Sequence, residues 1–339
     1  MVPFLSYEAR NFSTPLAEPA SGLLSVPLGE LLWGAITVGA TPISMGGTPR
    51  PLVELCWRAA LAAASLEEDS SGRWAMTDGY RRLDPSEKRA VSYFLGMTQA
   101  KIMCERLLLA PHLIHLDAFL AMIGQSARTS RPDLVGLSLP AMDVTIAVEA
   151  KGRMGGRVDE VMRKAKEQAR SLPGVLSTSS ALRVASVASF DARRRWEARL
   201  EDPPGPVRPL DSLTPGTLLA AYYRPLAAAL LQAPQGQVSD DEAMTIVQLP
   251  GMDLAVGIPA AIVSIIRTLP LTGPIAAGRL LEAGAALLQA VPARQFTSRD
   301  ETAGPEEESS VDPQEPLRPY TGMDGVYIRP GPSWLGSPR

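Results

Sequence analysis

Apolar positions along the chain follow a helical period in some stretches and a two-residue period in others, and the switches between them outline its organisation. Residues 1–49 hold neither period for long; they are rich in Pro, Gly, Ser and Thr and read as mostly irregular, with short strands possible. RPLVELCWRAALAAASLEE (50–68) predicts a helix, with Pro51 near its start and alanines through its body. DPSEKRAVSYFLGMTQAKIMCERLLL (84–109) predicts a long helix, with Asp84 as N-cap, Pro85 in the first position and Glu87 in the third. Three strand candidates follow, HLIHLDAFLAMI, DLVGLS and DVTIAVEAK. RVDEVMRKAKEQARSL (157–172) returns to the helical period, with Val158, Val161, Met162, Ala165 and Ala169 on one stripe, and LRVASVASF (182–190) reads as another strand.

That order predicts an α/β core at 84–201, a mixed sheet flanked by helices. It leaves an N-terminal extension at 1–83, partly irregular with one helix. DPPGPVRPLDSLTPG (202–216) has the composition of a linker. A mostly helical C-terminal extension at 202–292 follows, including TLLAAYYRPLAAALLQ and GRLLEAGAALLQAV, with a strand pair near MTIVQLPGMDLAVGI. From 293 to 339 the acidic, Pro-rich run around SRDETAGPEEESSVDPQEP predicts a disordered tail. LAVGIPAAIVSIIRTLPL is interrupted by Pro259 and Arg267, so it reads as a strand and a buried helix and not as a membrane span. The N-terminus lacks a secretion-signal pattern, and the expected location is cytoplasmic.

Charge and chemistry narrow the field further. A net charge of −3 means that nucleic-acid binding would rest on a local basic patch. Cys56 and Cys104 sit in apolar helical contexts without metal-like spacing and read as buried free thiols. The two histidines, His112 and His115, have no companion cysteines, which argues against zinc. Hydrolytic chemistry in such a chain falls to carboxylates, lysine and a bound metal.

RPDLVGLSLPAMDVTIAVEAKGR (131–153) is where such chemistry concentrates. Along VTIAVEAK, Val144, Ile146, Val148 and Ala150 share an apolar face, while Thr145, Ala147, Glu149 and Lys151 share the other. Glu149 and Lys151 thus point the same way, roughly 7 Å apart along the strand. If the connecting LPAMD is a hairpin loop centred on Ala141, Asp133 stands opposite Glu149, with Cβ atoms about 5 Å apart. Two carboxylates that close repel, and a divalent cation between them turns the repulsion into binding. Mg²⁺, or Mn²⁺ in its place, suits an all-oxygen set made of Asp133, Glu149 and the carbonyl of Ala150. Such a metal lowers the pKa of a bound water and neutralises phosphate charge, and Lys151 can orient that water or stabilise the phosphorane.

Pro132-Asp133, followed sixteen residues later by Glu149-Ala150-Lys151, resembles the PD-(D/E)xK nuclease superfamily. That superfamily's restriction endonuclease-like core is a helix, three strands, a helix and a strand, the order predicted for 84–190. The resemblance covers the central third of the chain. It implies Mg²⁺-dependent phosphodiester hydrolysis, usually of DNA, in bacterial defence, restriction or DNA processing, with homodimers common. Members often carry a glutamine or lysine on the helix after the motif, which points to Gln168 and Lys164, and a metal-assisting glutamate on the first helix, which points to Glu105.

Each of these residues has a plainer explanation. Asp133, Glu149 and Lys151 can form an exposed sheet edge with a Glu–Lys pair, and the fold can persist as an inactive scaffold whose C-terminal region binds a protein partner. Glu105 is accounted for by an i,i+4 pair with Lys101, and Gln168 by its place on a helix flank. Lys151, Arg153, Arg157, Arg163, Lys164, Lys166 and Arg170 form a candidate phosphate surface diluted by Asp159, Glu160 and Glu167. Tyr222-Tyr223 reads as packing, and Asp143 and Asp117 as turn and strand-end residues.

Overall fold

A computed structural model describes residues 2–13, 15–39, 44–45, 48–49, 51–126, 131–139, 145–155, 158–171, 182–202, 214–234, 238–240, 243–271, 273–291 and 317–334. The chain opens with β1 (Phe4–Arg10) and β2 (Ser21–Ser25), an antiparallel pair. FLSYEAR alternates strictly, burying Leu5, Tyr7 and Ala9, so one face of β1 enters the core. α1 (Leu28–Thr37) is buried along nearly its whole length. Two short hairpins, β3 (Ser44–Met45) with β4 (Thr48–Pro49) and β5 (Leu66–Glu68) with β6 (Trp74–Met76), lie before and after α2 (Pro51–Ser65). α3 (Asp78–Arg82) then leads to α4 (Pro85–Leu108). The 1–83 region thus departs from the expected extension with one helix: β1 pairs in parallel with a strand of the main sheet, and three helices are present among its described residues.

α4 begins with a full capping box. Asp84 accepts the N–H groups of Ser86 and Glu87, and the Glu87 carboxylate takes the Asp84 N–H. The core then runs β7 (His112–His115), α5 (Leu116–Met122), β8 (Leu134–Leu137), β9 (Thr145–Gly152), α6 (Val158–Ala169), β10 (Leu182–Phe190) and β11 (Trp196–Glu201). HLIHLDAFLAMI was expected as one strand and is only four residues of strand followed by helix. Leu116, Phe119 and Leu120 repeat at helical spacing, and His115 caps the helix by accepting the Asp117 N–H.

The main sheet has the order β2-β1-β11-β10-β9-β8-β7. β9 and β10 are parallel, joined by the crossover through α6, while β7, β8 and β9 form an antiparallel meander. α4 lies on the face of Ile146, Val148 and Ala150, and α6 on the face of Ala185 and Val187. The α4 contact is made backbone to backbone. A Cβ on Gly152 would stand 1.6 Å from the Ser92 carbonyl oxygen, and one on Gly96 would stand 2.7 Å from Gly152 N. The two glycines seat the helix directly on the end of the strand that carries Glu149 and Lys151.

Beyond β11 lie α7 (Pro215–Leu231), β12 (Val238–Asp240), β13 (Met244–Leu249), β14 (Leu254–Pro259), α8 (Ala260–Arg267) and α9 (Ala277–Ala290). A second sheet, ordered β12-β13-β14-β16-β15, takes its last two strands from β15 (Tyr320–Thr321) and β16 (Tyr327–Pro330). The helical extension thus carries an antiparallel sheet, and the stretch expected as a disordered tail contributes two of its strands. Residues 293–316 and 335–339, the rest of that stretch, fall outside the described residues, as does most of the expected linker. Among the described residues no helix is long and apolar enough to cross a membrane.

Candidate functional site

β8 and β9 pair with Leu134 opposite Val148, Val135 opposite Ala147 and Gly136 opposite Ile146. One further step in this register sets Asp133 against Glu149, although the loop around Ala141, with Asp143, lies outside the described residues. Asp133 sits in the bend just before β8, where its backbone carbonyl accepts the Leu116 N–H at 2.9 Å. Its Oδ2 accepts the Ala150 N–H at 3.1 Å, which holds the carboxylate in the opening between the two strands. The N–H and C=O of a strand residue project to the same side, so the Ala150 carbonyl also faces the Asp133 side.

Glu149 is fully enclosed, at 0% exposure. Lys151, two residues on and on the same face, forms an ion pair with Oε1, while its own side chain remains 28% exposed. The Asp133 backbone N–H also bears on the Glu149 carboxylate and favours its charged form. Burial first, and then the charge of Asp133, push the Glu149 carboxyl up to about 7 against the pull of Lys151. Burial likewise raises Asp133, opposed by Lys151 and the Ala150 N–H. Two acids thus share the charge of one ammonium, Lys151.

Tyr93 and His115, which sequence reasoning did not assign to this site, lie at its Asp133 end on the α4 face of the sheet, the face opposite Glu149 and Lys151. Tyr93 Oη lies 3.2 Å from His115 Nε2. Burial, followed by the charge of Asp133, pushes the Tyr93 phenol up to about 12. Their signal in the sequence is weak: His115 precedes a helix start, and Tyr93 sits one turn before the Gly96 that touches β9.

The structure brings Asp133, Glu149, Ala150 and Lys151 together and leaves the two proposed helpers apart. Glu105 is a correction. On α4 it lies nine residues beyond Gly96, about 13 Å along the axis, where its carboxylate accepts the Met323 N–H and the Tyr320 hydroxyl. Burial pushes it up to about 8 in a pocket shared with Asp324 and Lys101. Gln168 is half-buried in the last turn of α6. Asp159 and Lys166 on one flank of that helix reach Arg199 and Glu201 of β11, which leaves Gln168 on the β9 side. The crossover runs antiparallel to β9, however, so this last turn lies toward the start of the strand. Among the described residues no hydrogen bond joins Gln168 to the carboxylates.

Four residues of the candidate phosphate surface are paired with neighbours: Lys151 with Glu149, Arg163 with Glu167, Lys164 with Glu160 and Lys166 with Glu201. Arg157 lies outside the described residues. His112 is fully buried, 3.0 Å from the Tyr223 hydroxyl and edge-on to Tyr222, which makes all three packing residues. Cys104 is buried and Cys56 half-buried, both as free thiols. Among the described residues no group of three or more His, Cys, Asp or Glu side chains gathers to hold a metal, so any ion here would rest on two carboxylates and backbone oxygen. No protein-family model, curated protein or solved structure matches the chain.

Proposed function

We propose that the chain is a Mg²⁺-dependent phosphodiesterase acting on nucleic acid, DNA in the first place, through a PD-(D/E)xK site on a restriction endonuclease-like core. The observation that carries this reading is the β8–β9 register, which sets Asp133 against Glu149 with Lys151 on the Glu149 face. The order α4, β7, α5, β8, β9, α6, β10, with the strands in the sheet sequence β7-β8-β9-β10, supports it apart from the extra helix α5 between the first two strands.

The donor set fits a hard divalent cation. The Glu149 carboxylate is enclosed with a single cation, Lys151, beside it, and the neighbouring acid raises the energy of the charged form. Asp133, Glu149 and the Ala150 carbonyl would hold the ion, which when bound supplies an acidified water and neutralises phosphate charge. Asp133 is kept in place for this by the Ala150 N–H. Lys151 is partly exposed and its ammonium pairs with Glu149, from where it could orient a water or hold a phosphate oxygen.

A second reading, an inactive nuclease-like scaffold that binds a protein partner or nucleic acid, is favoured by one observation. Glu149 is sealed from solvent and already neutralised by Lys151. Incubating the protein with plasmid DNA and Mg²⁺ or Mn²⁺, beside Lys151→Ala, separates the two. The nuclease reading expects metal-dependent cleavage by the parent protein and at least about a hundredfold less from the variant. Cleavage by both, or by neither, sinks it.

A further inference from the structure

His115 ends β7 opposite Leu134, and the next residue, Leu116, donates its N–H to the Asp133 carbonyl. The imidazole is thereby set beside the bend that carries Asp133. Its Nδ1 accepts the Asp117 N–H at 3.3 Å, as the cap of α5. A ring nitrogen that accepts carries no hydrogen, so this hydrogen-bond pattern assigns the proton of the neutral ring to Nε2. Nε2 therefore donates to Tyr93 Oη across 3.2 Å. The phenol has no need to donate back, and its own hydrogen is left to point elsewhere.

The direction it serves follows from its neighbours. Tyr93 is half-buried on α4, next to Ser92, whose backbone abuts Gly152 at the end of β9. The acids whose charge bears on the phenol are Asp133 first, then Glu149 and Asp117, with Arg58 acting against them. Arg58 is itself held by Glu54 and the Val38 carbonyl, so its guanidinium is engaged away from the site.

We propose that Tyr93, oriented by His115, is a further hydrogen-bond donor of the carboxylate site and donates to a phosphate oxygen of nucleic acid lying beside Asp133. The inference rests on the phosphodiesterase reading. Burial holds His115 below its ordinary range, so the ring stays neutral near pH 7 and the Nε2 donor does not alternate with a charged form.

The test compares the parent protein with Tyr93→Phe, His115→Gln and His115→Ala on one oligonucleotide in Mn²⁺, reading kcat, KM and Tm. A phosphate donor predicts that Tyr93→Phe loses about ten- to a hundredfold in kcat/KM, with Tm nearly unchanged. His115→Gln, whose amide N–H can replace Nε2, keeps most of the activity, and His115→Ala falls with Tyr93→Phe. If Tyr93→Phe lowers Tm and leaves the kinetics of the folded fraction intact, the phenol merely braces α4 against β7 and the proposal is wrong. Should Tyr93→Phe fail to fold, the His115→Gln and His115→Ala pair carries the comparison, and equal kinetics in the two overturn it. A parent protein that neither cleaves nor binds the oligonucleotide defeats the phosphodiesterase reading itself; an active parent matched by Tyr93→Phe defeats this inference alone.

Discussion

Replacing Glu149 with Gln removes the charge at the centre of the site while keeping its shape, and its effect depends on pH in a direction that can be worked out. The folded chain raises the carboxyl from 4.5 to about 7, through burial and the Asp133 charge. At about 1.4 kcal/mol for each tenfold change in proton affinity, ionising Glu149 costs the folded state about 3 kcal/mol. The native state holds this proton more tightly than the unfolded chain does. The group's contribution to stability is therefore greatest below pH 4.5, falls as pH rises toward 7, and stays low above it.

Glu149→Gln lacks that fall. Relative to the parent, the variant should gain about 3 kcal/mol between pH 4.5 and pH 8, or about 5 °C in Tm for a chain of this size. Costs that do not depend on pH, such as the unpaired amide and the freed Lys151, shift both ends of the scan equally. His112 bends the parent's own profile the other way. Burial pushes it from 6.5 down to about 3, so its stabilising contribution is lost as pH drops below 6.5, but this occurs in both proteins and cancels in the difference. The assay is calorimetry of the two proteins across that range without divalent metal, repeated with Mg²⁺, which should raise the Tm of the parent at pH 8 and leave the variant where it was. A Tm difference that stays flat with pH would mean that Glu149 ionises without penalty, and the physical case for a cation at this site would be gone.

Gly152→Ala should destabilise the protein by about 3 kcal/mol or more, read from the urea midpoint, because its Cβ would stand 1.6 Å from the Ser92 carbonyl oxygen and both sides of the clash are backbone. Asp324→Ala should cost about 3–5 kcal/mol, seen in the same titration, since it leaves the fully buried Lys101 ammonium without its carboxylate. Asp84→Ala removes one half of the α4 capping box and should lower stability by about 1 kcal/mol, read from the urea midpoint, while leaving the proposed cleavage of plasmid DNA at the parent's level, because the cap is at the exposed end of the helix.

What could be read from the sequence was local. The cap of α4 was visible because Asp84, Pro85 and Glu87 act within one turn, and β10 because LRVASVASF is a short run of small and apolar residues that ends at a polar turn. The opposition of Asp133 and Glu149 needed only a strand period and a loop centre, two quantities that a hairpin supplies from its own residues. β1 escaped notice despite its clean alternation, because its partners β11 and β2 cannot be told from composition, and the surrounding Pro and Ser residues suggested loop. The strand-to-helix switch at His115 was hidden for a different reason. HLIHLDAFLAMI is apolar throughout, and periodicity separates a strand from a helix poorly when both faces are buried.

Glu105 shows where such reading stops and why. A carboxylate on the apolar stripe of a helix demands a partner, and that much was sound. The stripe gives the face but not the height along the axis at which the helix meets β9, and that height is set by Gly96 and Gly152, whose missing side chains permit the contact. Glu105 lies above it, among residues 320–324, which are more than two hundred positions away in a stretch whose neighbouring composition suggested disorder. There Asp324 takes the indole N–H of Trp33 and the hydroxyl of Tyr222, and the Lys101 ammonium stands 3.8 Å off, over the rings of Trp33 and Tyr222. α4 thus carries two separate polar devices. The lower one meets the carboxylate site at its Asp133 end through Tyr93, and the upper one fastens the C-terminal strands to the core. A helix that must hold both at fixed heights needs a fixed contact with the sheet, so Gly152→Ala should disturb the carboxylate site and C-terminal docking together, whereas Asp324→Ala should loosen the C-terminal segment first.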